Sequence, residues 1–200
     1  MLFRSCLATY CAFLGIELTS IKPAPTPFLD ESKDEHCVYG KDEPTGELAG
    51  TAASPLMQVM YLARLARHDL LRLINRLTSF LVKEKWKTSH DKKTLRLMQF
   101  LKFSREWAQV GFVGDPIEDL QLVLFPDADL ASDKSDLKST SGVMLCVMGK
   151  HTFFPIDAIS KKQTVQSLSS TEAEIVSGNY GADRKSTRLN SSHANISYAV

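Results

Sequence analysis

Apolar residues recur at helical spacing through one long part of the chain, and this pattern constrains its fold most strongly. Between residues 54 and 102 they return every three or four positions, which predicts three amphipathic helices. Ser54 is expected to cap the first helix, with Pro55 in its first turn, and Asp69 to cap the second. The third is predicted from about Asp91 to Lys102. Each helix needs a partner surface to be stable.

The pattern changes to short β-type runs after Phe103. Trp107–Val113 alternates loosely, and Leu120–Phe125 is an apolar run that favours a strand. The elements predicted after it are strands at Val143–Val147 and Thr152–Ile156, a turn between them at residues 148–150, and a helix from Ser169 or Ser170. This order of elements predicts an α/β fold.

A different kind of segment precedes the first predicted helix. The run Lys22–Pro27 contains three prolines, and each pushes its predecessor toward extended geometry. Seven acidic residues follow before Ala49. We interpret residues 22–53 as a linker or surface arm outside the core. Residues 1–21 are mixed apolar and favour a strand or a helix.

The net charge of +1 conceals a strong internal asymmetry. Twelve Lys or Arg and three Asp or Glu lie between Arg64 and Arg105, whereas seven Asp or Glu and one Lys lie between Asp115 and Asp136. A basic helical region followed by an acidic strand region is typical of a nucleic-acid channel beside a cation site. Two ordinary solvated faces of opposite sign explain the charges equally well. The candidate nucleic-acid-binding residues are Arg64, Arg67, Lys92, Lys93 and Arg96.

Four cysteines have neither zinc-ligand spacing nor a histidine pair to complete a site: Cys6, Cys11, Cys37 and Cys146. They are expected to be buried and reduced, which indicates an intracellular protein. The apolar run Cys6–Leu18 is too short to cross a membrane and lacks a cleavage pattern. We therefore expect no membrane association and no secretion.

Four short motifs carry the functional information. They are Phe125-Pro-Asp127-Ala-Asp129, Lys138-Ser-Thr-Ser-Gly142, Ser160-Lys-Lys-Gln163 and Ser169-Ser-Thr-Glu-Ala-Glu174. Each alone is common, since an Asp often ends an apolar strand and Ser-Ser-Thr-Glu is also a capping box. In this order and spacing the four resemble the ribonuclease H core of copia-type retrotransposons.

The resemblance implies an incomplete ribonuclease H-like mixed sheet preceded by basic amphipathic helices. It also implies hydrolysis of RNA in RNA:DNA hybrids by two Mg²⁺ ions, which a carboxylate cluster holds about 3.5–4 Å apart. By resemblance, Asp127 takes the strand position that bridges both ions, and Glu174 takes the helix position that binds one. The two carboxylates are expected to converge because that helix packs against that strand.

Two neighbouring acids are assigned differently. Glu172 lies about 200° from Glu174 around a helix, so we expect it to complete a capping box with Ser169 instead. Asp129 shares a strand face with Asp127. It either assists at the ion site or is a solvated loop carboxylate.

A looser resemblance extends upstream. Leu56–Ala63, Arg67–Leu70 and Leu95–Leu101 resemble the segment joining copia-type reverse transcriptase to its ribonuclease H. The chain then divides into a polymerase remnant, an acidic linker, a helical connection and a truncated ribonuclease H-like domain, at residues 1–21, 22–53, 54–106 and 107–182. The implied partners are an RNA:DNA hybrid and the remainder of the Pol polyprotein.

The chain departs from the family pattern at three points. Leu130 replaces the aromatic residue that follows Asp-Ala-Asp in the family. The Trp that the family usually has just before the Ser160–Gln163 motif is also absent, since Ile159 stands directly before Ser160. The third and fourth carboxylates are expected well beyond Glu174, and Asp183 is a poor substitute for them. We therefore expect weak or absent Mg²⁺ binding and no catalysis.

The two ends resemble something else. Residues 183–200 have no apolar period and resemble the translation of a common sequencing adapter, and residues 2–5 resemble the opposite adapter. We expect residues 1–5 and 183–200 to be library artefact. Two rival interpretations stay open: a non-enzymatic nucleic-acid-binding remnant, and a pseudogene product with no function.

Overall fold

The fold was obtained as a computed structural model. The structure describes residues 2–29, 43–83, 86–131 and 137–196, and side chains within residues 4–29, 43–81, 86–131 and 137–183. The chain divides into two compact units, residues 1–109 and residues 110–200. The predicted domain boundary at residues 106/107 lies three positions earlier. The described residues form five α-helices and three strands, so the α/β prediction is confirmed.

The first unit is helical. Its helices are α1 Leu2–Leu14, α2 Ala53–Leu65, α3 Leu71–Lys83 and α4 Thr88–Phe103. They pack around a core that includes Tyr10, Leu56, Leu70, Ile74, Leu97 and Leu101. The three predicted helices are therefore confirmed, and burial of their apolar stripes supplies the partner surface that each one needs.

The predicted caps are wrong in this unit. α2 begins one residue before Ser54, and Ala52 at its N-cap position makes no side-chain capping bond. The Asp69 carboxylate instead accepts hydrogen bonds from the Arg67 guanidinium, with N–O distances of 2.9 and 2.7 Å. Tertiary pairing thus replaces the local cap that the sequence suggested.

The segment interpreted as a linker is partly built into the first unit. Leu48 and Ala52 are fully buried, and the Glu43 carboxylate accepts hydrogen bonds from Thr88 Oγ1 at 2.7 Å and Ser89 Oγ at 2.9 Å. Its position at the start of α4 satisfies donors that the helix leaves unpaired. The expectation that residues 22–53 lie outside the core is wrong at the buried Ala24 and for residues 43–52; residues 30–42 lie outside the described part.

The second unit is a three-stranded antiparallel sheet with one helix on it. Its strands are β1 Gln121–Asp129, β2 Thr140–Gly149 and β3 Thr152–Lys162, in the order β1-β2-β3, and its helix is α5 Ser170–Ile196. The strand, hairpin and helix predicted from the sequence are confirmed. The expected mixed sheet is not found, since every strand pair in the described residues is antiparallel.

One other expectation for this unit fails. Trp107–Val113 is not a strand, and Phe112 makes only an isolated bridge with Phe153. α5 continues to Ile196, although the sequence beyond residue 182 has no apolar period.

The described cysteines follow the prediction. Cys6, Cys11 and Cys146 are buried free thiols, and burial raises the pKa of Cys6 to about 11. Cys37 lies outside the described residues. In the part of the chain that the structure describes, no helix is both long and apolar enough to cross a membrane.

Candidate functional site

Asp127 lies near the end of β1, which forms one edge of the described sheet. It pairs with Gly142 on β2, and its side chain is exposed. The strand forms because the run from Leu122 to Phe125 is apolar and pairs with the equally apolar β2. The sequence thus places a carboxylate at the end of an edge strand.

Glu174 lies in the second turn of α5, and its side chain is exposed. The helix begins where the capping signal predicted, because Ser169 Oγ accepts the backbone N–H of Glu172 at 3.1 Å. The Glu172 carboxylate accepts the backbone N–H of Leu168 at 2.8 Å. The capping role predicted for Glu172 is therefore confirmed, with Leu168 rather than Ser169 as the reciprocal donor.

Ser177 joins α5 to both strands at the level of Asp127. Its hydroxyl is fully buried and lies 2.7 Å from the Asp127 carbonyl oxygen and 3.2 Å from that of Gly142. Both carbonyls therefore point into the gap between β1 and β2, and residues 127 and 142 are a hydrogen-bonded pair. The predicted packing of the helix against the first strand is present at this point.

This pairing fixes which backbone groups of β1 face outward. Alternate residues turn their N–H groups away from β2, and Pro126 occupies one of these outward positions. Proline has no N–H to lose there, so it fits an edge strand. It also leaves a gap in the row of donors along the free edge.

The two carboxylates belong to different faces of the sheet. α5 packs on the face that carries Leu124 and Val143, since a Cβ added at Gly181 would lie 2.6 Å from Leu124 Cδ2 and 3.2 Å from Val143 Cγ1. Strand alternation turns the Asp127 side chain to the opposite face, together with Asp129. The expected convergence of the two carboxylates is therefore wrong, although α5 packs against β1 as predicted.

The orientation of α5 turns Glu174 toward the free edge of β1. Tyr180 and Glu174 lie three residues on either side of Ser177, so they flank it by about 60° in opposite directions. The Tyr180 ring stacks under Lys161 Nζ of β3, at 4.7 Å from its centroid. Tyr180 therefore marks the flank of α5 that faces β3. Glu174 lies on the other flank of α5, which faces the outer edge of β1.

Gln163 anchors the start of α5, a role that sequence reasoning did not assign. Its side-chain NH₂ donates to Ser141 Oγ at 3.0 Å and to the Ala173 carbonyl at 2.9 Å, and its Oε1 accepts from Ser167 Oγ at 3.0 Å. Gln163 and Ser167 are buried. The position of Gln163 in the Ser160–Gln163 motif was the available signal, but only the tertiary structure shows what its amide binds.

The predicted basic surface is divided by burial. Arg64 and Lys92 are exposed, whereas Arg67 is 4% and Lys93 is 8% exposed. Arg96 is partly buried and donates to Thr26 Oγ1 at 2.7 Å. The five residues therefore do not form one continuous cationic face.

Arg67 is a structural residue of the helical unit. Its guanidinium donates to the Ser104 carbonyl at 3.1 Å and to Ser104 Oγ at 2.9 Å, in addition to its pair with Asp69. The group also lies over the rings of Phe100 and Trp107, at 5.6 and 5.9 Å. These contacts leave it inaccessible to a phosphate.

Asp183, the other acid considered after Glu174, lies nine residues further along α5. This spacing corresponds to about 13 Å along the helix axis, too far to share an ion with Glu174. Across the described residues, no group of three or more His, Cys, Asp or Glu side chains is arranged to hold a metal ion.

No protein-family model, curated protein or solved structure matches the chain.

Proposed function

We propose that this chain is a retroelement-derived, ribonuclease H-like fragment whose ancestral activity is hydrolysis of RNA in RNA:DNA hybrids during reverse transcription. The observation that carries the proposal is the placement of Asp127 and Glu174. One lies near the end of an edge strand, and the other lies on the helix flank that faces the same edge. The copia-type motifs require this order and these elements.

Carboxylate oxygens suit a hard divalent ion, but Asp127 and Glu174 lie on opposite faces of the sheet, so their placement does not fit one ion shared between them. Mg²⁺ prefers carboxylate and water oxygens and is often held by one or two carboxylates, with waters completing the octahedron. Asp127 and Glu174 are exposed, so each is able to bind without displacing a protein partner.

The same donor set argues against catalysis by this 200-residue chain. Two carboxylates supply two negative charges, and two Mg²⁺ ions carry four positive charges. The chain therefore supplies too little charge to hold the two ions that this hydrolysis requires. We propose weak or absent ion binding and no turnover.

A hybrid-cleavage assay in Mg²⁺ tests the absence of turnover. The chain and Asp127→Asn are expected to give the same background rate. Robust cleavage that is lost in Asp127→Asn would refute the proposed inactivity and leave the assignment of Asp127 intact.

Binding of Mn²⁺, followed by electron paramagnetic resonance, tests the ion site itself. Because the two carboxylates do not converge, Asp127→Asn, Glu174→Gln and Glu118→Gln, at an exposed acid elsewhere, should all bind Mn²⁺ as weakly as the wild type. Wild-type binding that Asp127→Asn and Glu174→Gln each weaken about tenfold, and Glu118→Gln does not, would show that the two carboxylates share an ion.

The rival function is nucleic-acid binding without catalysis. It retains Arg64 and Lys92, the exposed members of the predicted set. Two phosphate contacts predict a shallow salt dependence, with a slope of about −2 in log affinity against log salt. A metal-independent affinity with a much steeper slope would favour this rival and require a basic surface elsewhere.

A further inference from the structure

Two aromatic rings lie open to solvent where α4 ends. Phe103, the last residue of the helix, is 45% exposed, and Trp107, just beyond the following turn, is 54% exposed. Their ring centroids lie 5.8 Å apart, and the Trp107 ring also meets the buried Phe100 ring edge to face at 5.7 Å. Edge-to-face contacts favour one orientation of a ring. Trp107 is therefore an oriented ring with more than half of its surface uncovered.

The exposure of Trp107 contrasts with the burial of Trp86, the other tryptophan of the chain. Trp86 is 3% exposed, and its indole N–H donates to Asp91 Oδ1. Burial of this kind is the usual outcome for a large ring, since it removes the most apolar surface from water. Two adjoining rings that stay open to solvent indicate a binding surface.

A cation adjoins the first of the two rings in the sequence. Lys102 precedes Phe103, and its ammonium donates to the carbonyl oxygens of Leu18 and Ile21, both at 2.8 Å. These acceptors carry no charge, so the ammonium keeps its positive charge at the end of α4. Lys102 thereby contributes to a positive potential near the rings.

A second cation lies between the two rings in the sequence. The Arg105 guanidinium pairs with the Glu106 carboxylate at 2.8 Å, and both side chains are more than half exposed. Water and salt screen an ion pair of this kind, which contributes little free energy. Exchanging Glu106 for a phosphate oxygen therefore costs Arg105 little.

This combination of rings and cations fits single-stranded nucleic acid. Unpaired bases stack on aromatic side chains, and neighbouring cations attract the phosphates. A duplex covers its base faces and offers only the phosphates. Twelve Lys or Arg against three Asp or Glu between residues 64 and 105 favour an anionic polymer over a neutral apolar partner.

We propose that Phe103 and Trp107 form a stacking surface for the bases of single-stranded RNA or DNA, with Arg105 contacting the phosphates. The surface lies within the helical unit, residues 1–109. It needs neither Asp127 nor Glu174, so the proposal goes beyond the ribonuclease H-like function and does not depend on it.

Tryptophan fluorescence of the full chain tests the stacking directly. An oligothymidylate of about twelve nucleotides is titrated into the wild type and into Trp107→Phe. A stacked base quenches indole emission, and the burial of Trp86 keeps its ring out of reach. Quenching is expected in the wild type, and it should be absent in Trp107→Phe, which retains only Trp86.

Fluorescence anisotropy separates stacking from phosphate attraction. The wild type should bind the oligothymidylate at least about fivefold more tightly than an abasic deoxyribose-phosphate oligomer of equal length and charge. Trp107→Phe should keep most of this preference, whereas Trp107→Leu, which retains apolar volume without a ring, should lose it. Arg105→Gln should lower the slope of log affinity against log salt by about 0.7. Phe125→Leu, at a similarly exposed ring in the acidic strand region, is the matched control and should behave as the wild type.

Circular dichroism at the titration temperature restricts the comparison to folded protein. Equal affinity for the two oligomers, or a preference that survives in Trp107→Leu, overturns the stacking surface. Failure of the wild type to bind either oligomer overturns it too, as does an equal loss in Phe125→Leu. A preference lost in Trp107→Leu alone, with quenching lost in Trp107→Phe, supports it. Hybrid cleavage and Mn²⁺ binding test the other proposal separately.

Discussion

Burial of His90 should make the stability of the helical unit depend on pH. His90 on α4 is 0% exposed, and its ring stacks on Phe80 at a centroid distance of 4.1 Å. Burial, with a smaller contribution from the positive charges of Lys93 and Lys87, lowers the pKa of His90 from 6.5 to about 4, although Glu43 and Asp91 partly oppose the shift. His90 is therefore neutral in the folded protein at pH 7, with Nδ1 accepting the Lys87 N–H at 2.9 Å.

The sign and size of the effect follow from proton linkage. Below its unfolded pKa of 6.5, His90 binds a proton in the unfolded chain but stays neutral in the folded one until about pH 4. Lowering the pH through this window therefore favours unfolding. The free energy of unfolding should fall by about 2 kcal/mol between about pH 7.5 and pH 5, and by about 3 kcal/mol at pH 4. A domain stability of about 5–15 kcal/mol makes this a large fraction.

Urea denaturation followed by tryptophan fluorescence measures this unit selectively, since Trp86 and Trp107 both lie in residues 1–109. His90→Asn is the control, because its Oδ1 replaces the Nδ1 acceptor and does not titrate. Glu43 does not interfere above pH 5: burial raises its pKa, but hydrogen bonds from Thr88 and Ser89 outweigh burial and hold it below 4.5. Equal pH dependence in the wild type and His90→Asn between pH 7.5 and 5 would refute the reasoning.

Three further predictions concern the contacts described above. Gly178→Ala should raise the free energy of unfolding by about 0.5–1 kcal/mol, because the added Cβ meets open space. Gly181→Ala should lower the free energy of unfolding by about 1 kcal/mol, because the added Cβ crowds the sheet. Changes of the same sign for both variants in thermal denaturation would contradict this packing of α5. Pro126→Val restores an outward N–H on the edge of β1, so the variant should self-associate with rising concentration in sedimentation velocity. If the variant stays monomeric at every concentration, something other than the proline protects this edge. Arg67→Met should destabilise the helical unit by about 1–3 kcal/mol and leave nucleic-acid affinity unchanged, because the Arg67 guanidinium is buried and bonded to Ser104. Arg64→Ala should leave stability unchanged. A loss of nucleic-acid affinity in Arg67→Met but not in Arg64→Ala would contradict the burial of Arg67.

Local signals in the sequence located the elements well. The helical period of residues 54–102 and the apolar runs at Leu120–Phe125 and Val143–Val147 correspond to α2–α4, β1 and β2. The capping box around Glu172 also located the start of α5. These signals succeed because periodicity, β-propensity and capping act over a few residues and need no distant partner.

Signals that depend on distant partners were assigned incorrectly or not at all. The charge of Arg67 suggested a phosphate ligand, but its partners include Ser104, thirty-seven residues away. Glu43 and Leu48 belong to a segment of linker-like composition, yet they pack against the start of α4 and into the core. Composition cannot distinguish an exposed charged side chain from a buried and paired one, because burial depends on which distant residues pack against that side chain.

Local signals were enough to establish the order of the elements and to single out Asp127 and Glu174 as the candidate acids. The tertiary structure decided that these acids lie on opposite faces at the edge of β1, and that Ser177 and Gln163 fix the helix between them. The two kinds of information differ in how far apart the interacting residues lie in the sequence. Strand and helix propensities are local, whereas the register of a helix on a sheet depends on which buried donors and acceptors meet, and those groups come from residues as far apart as fifty positions.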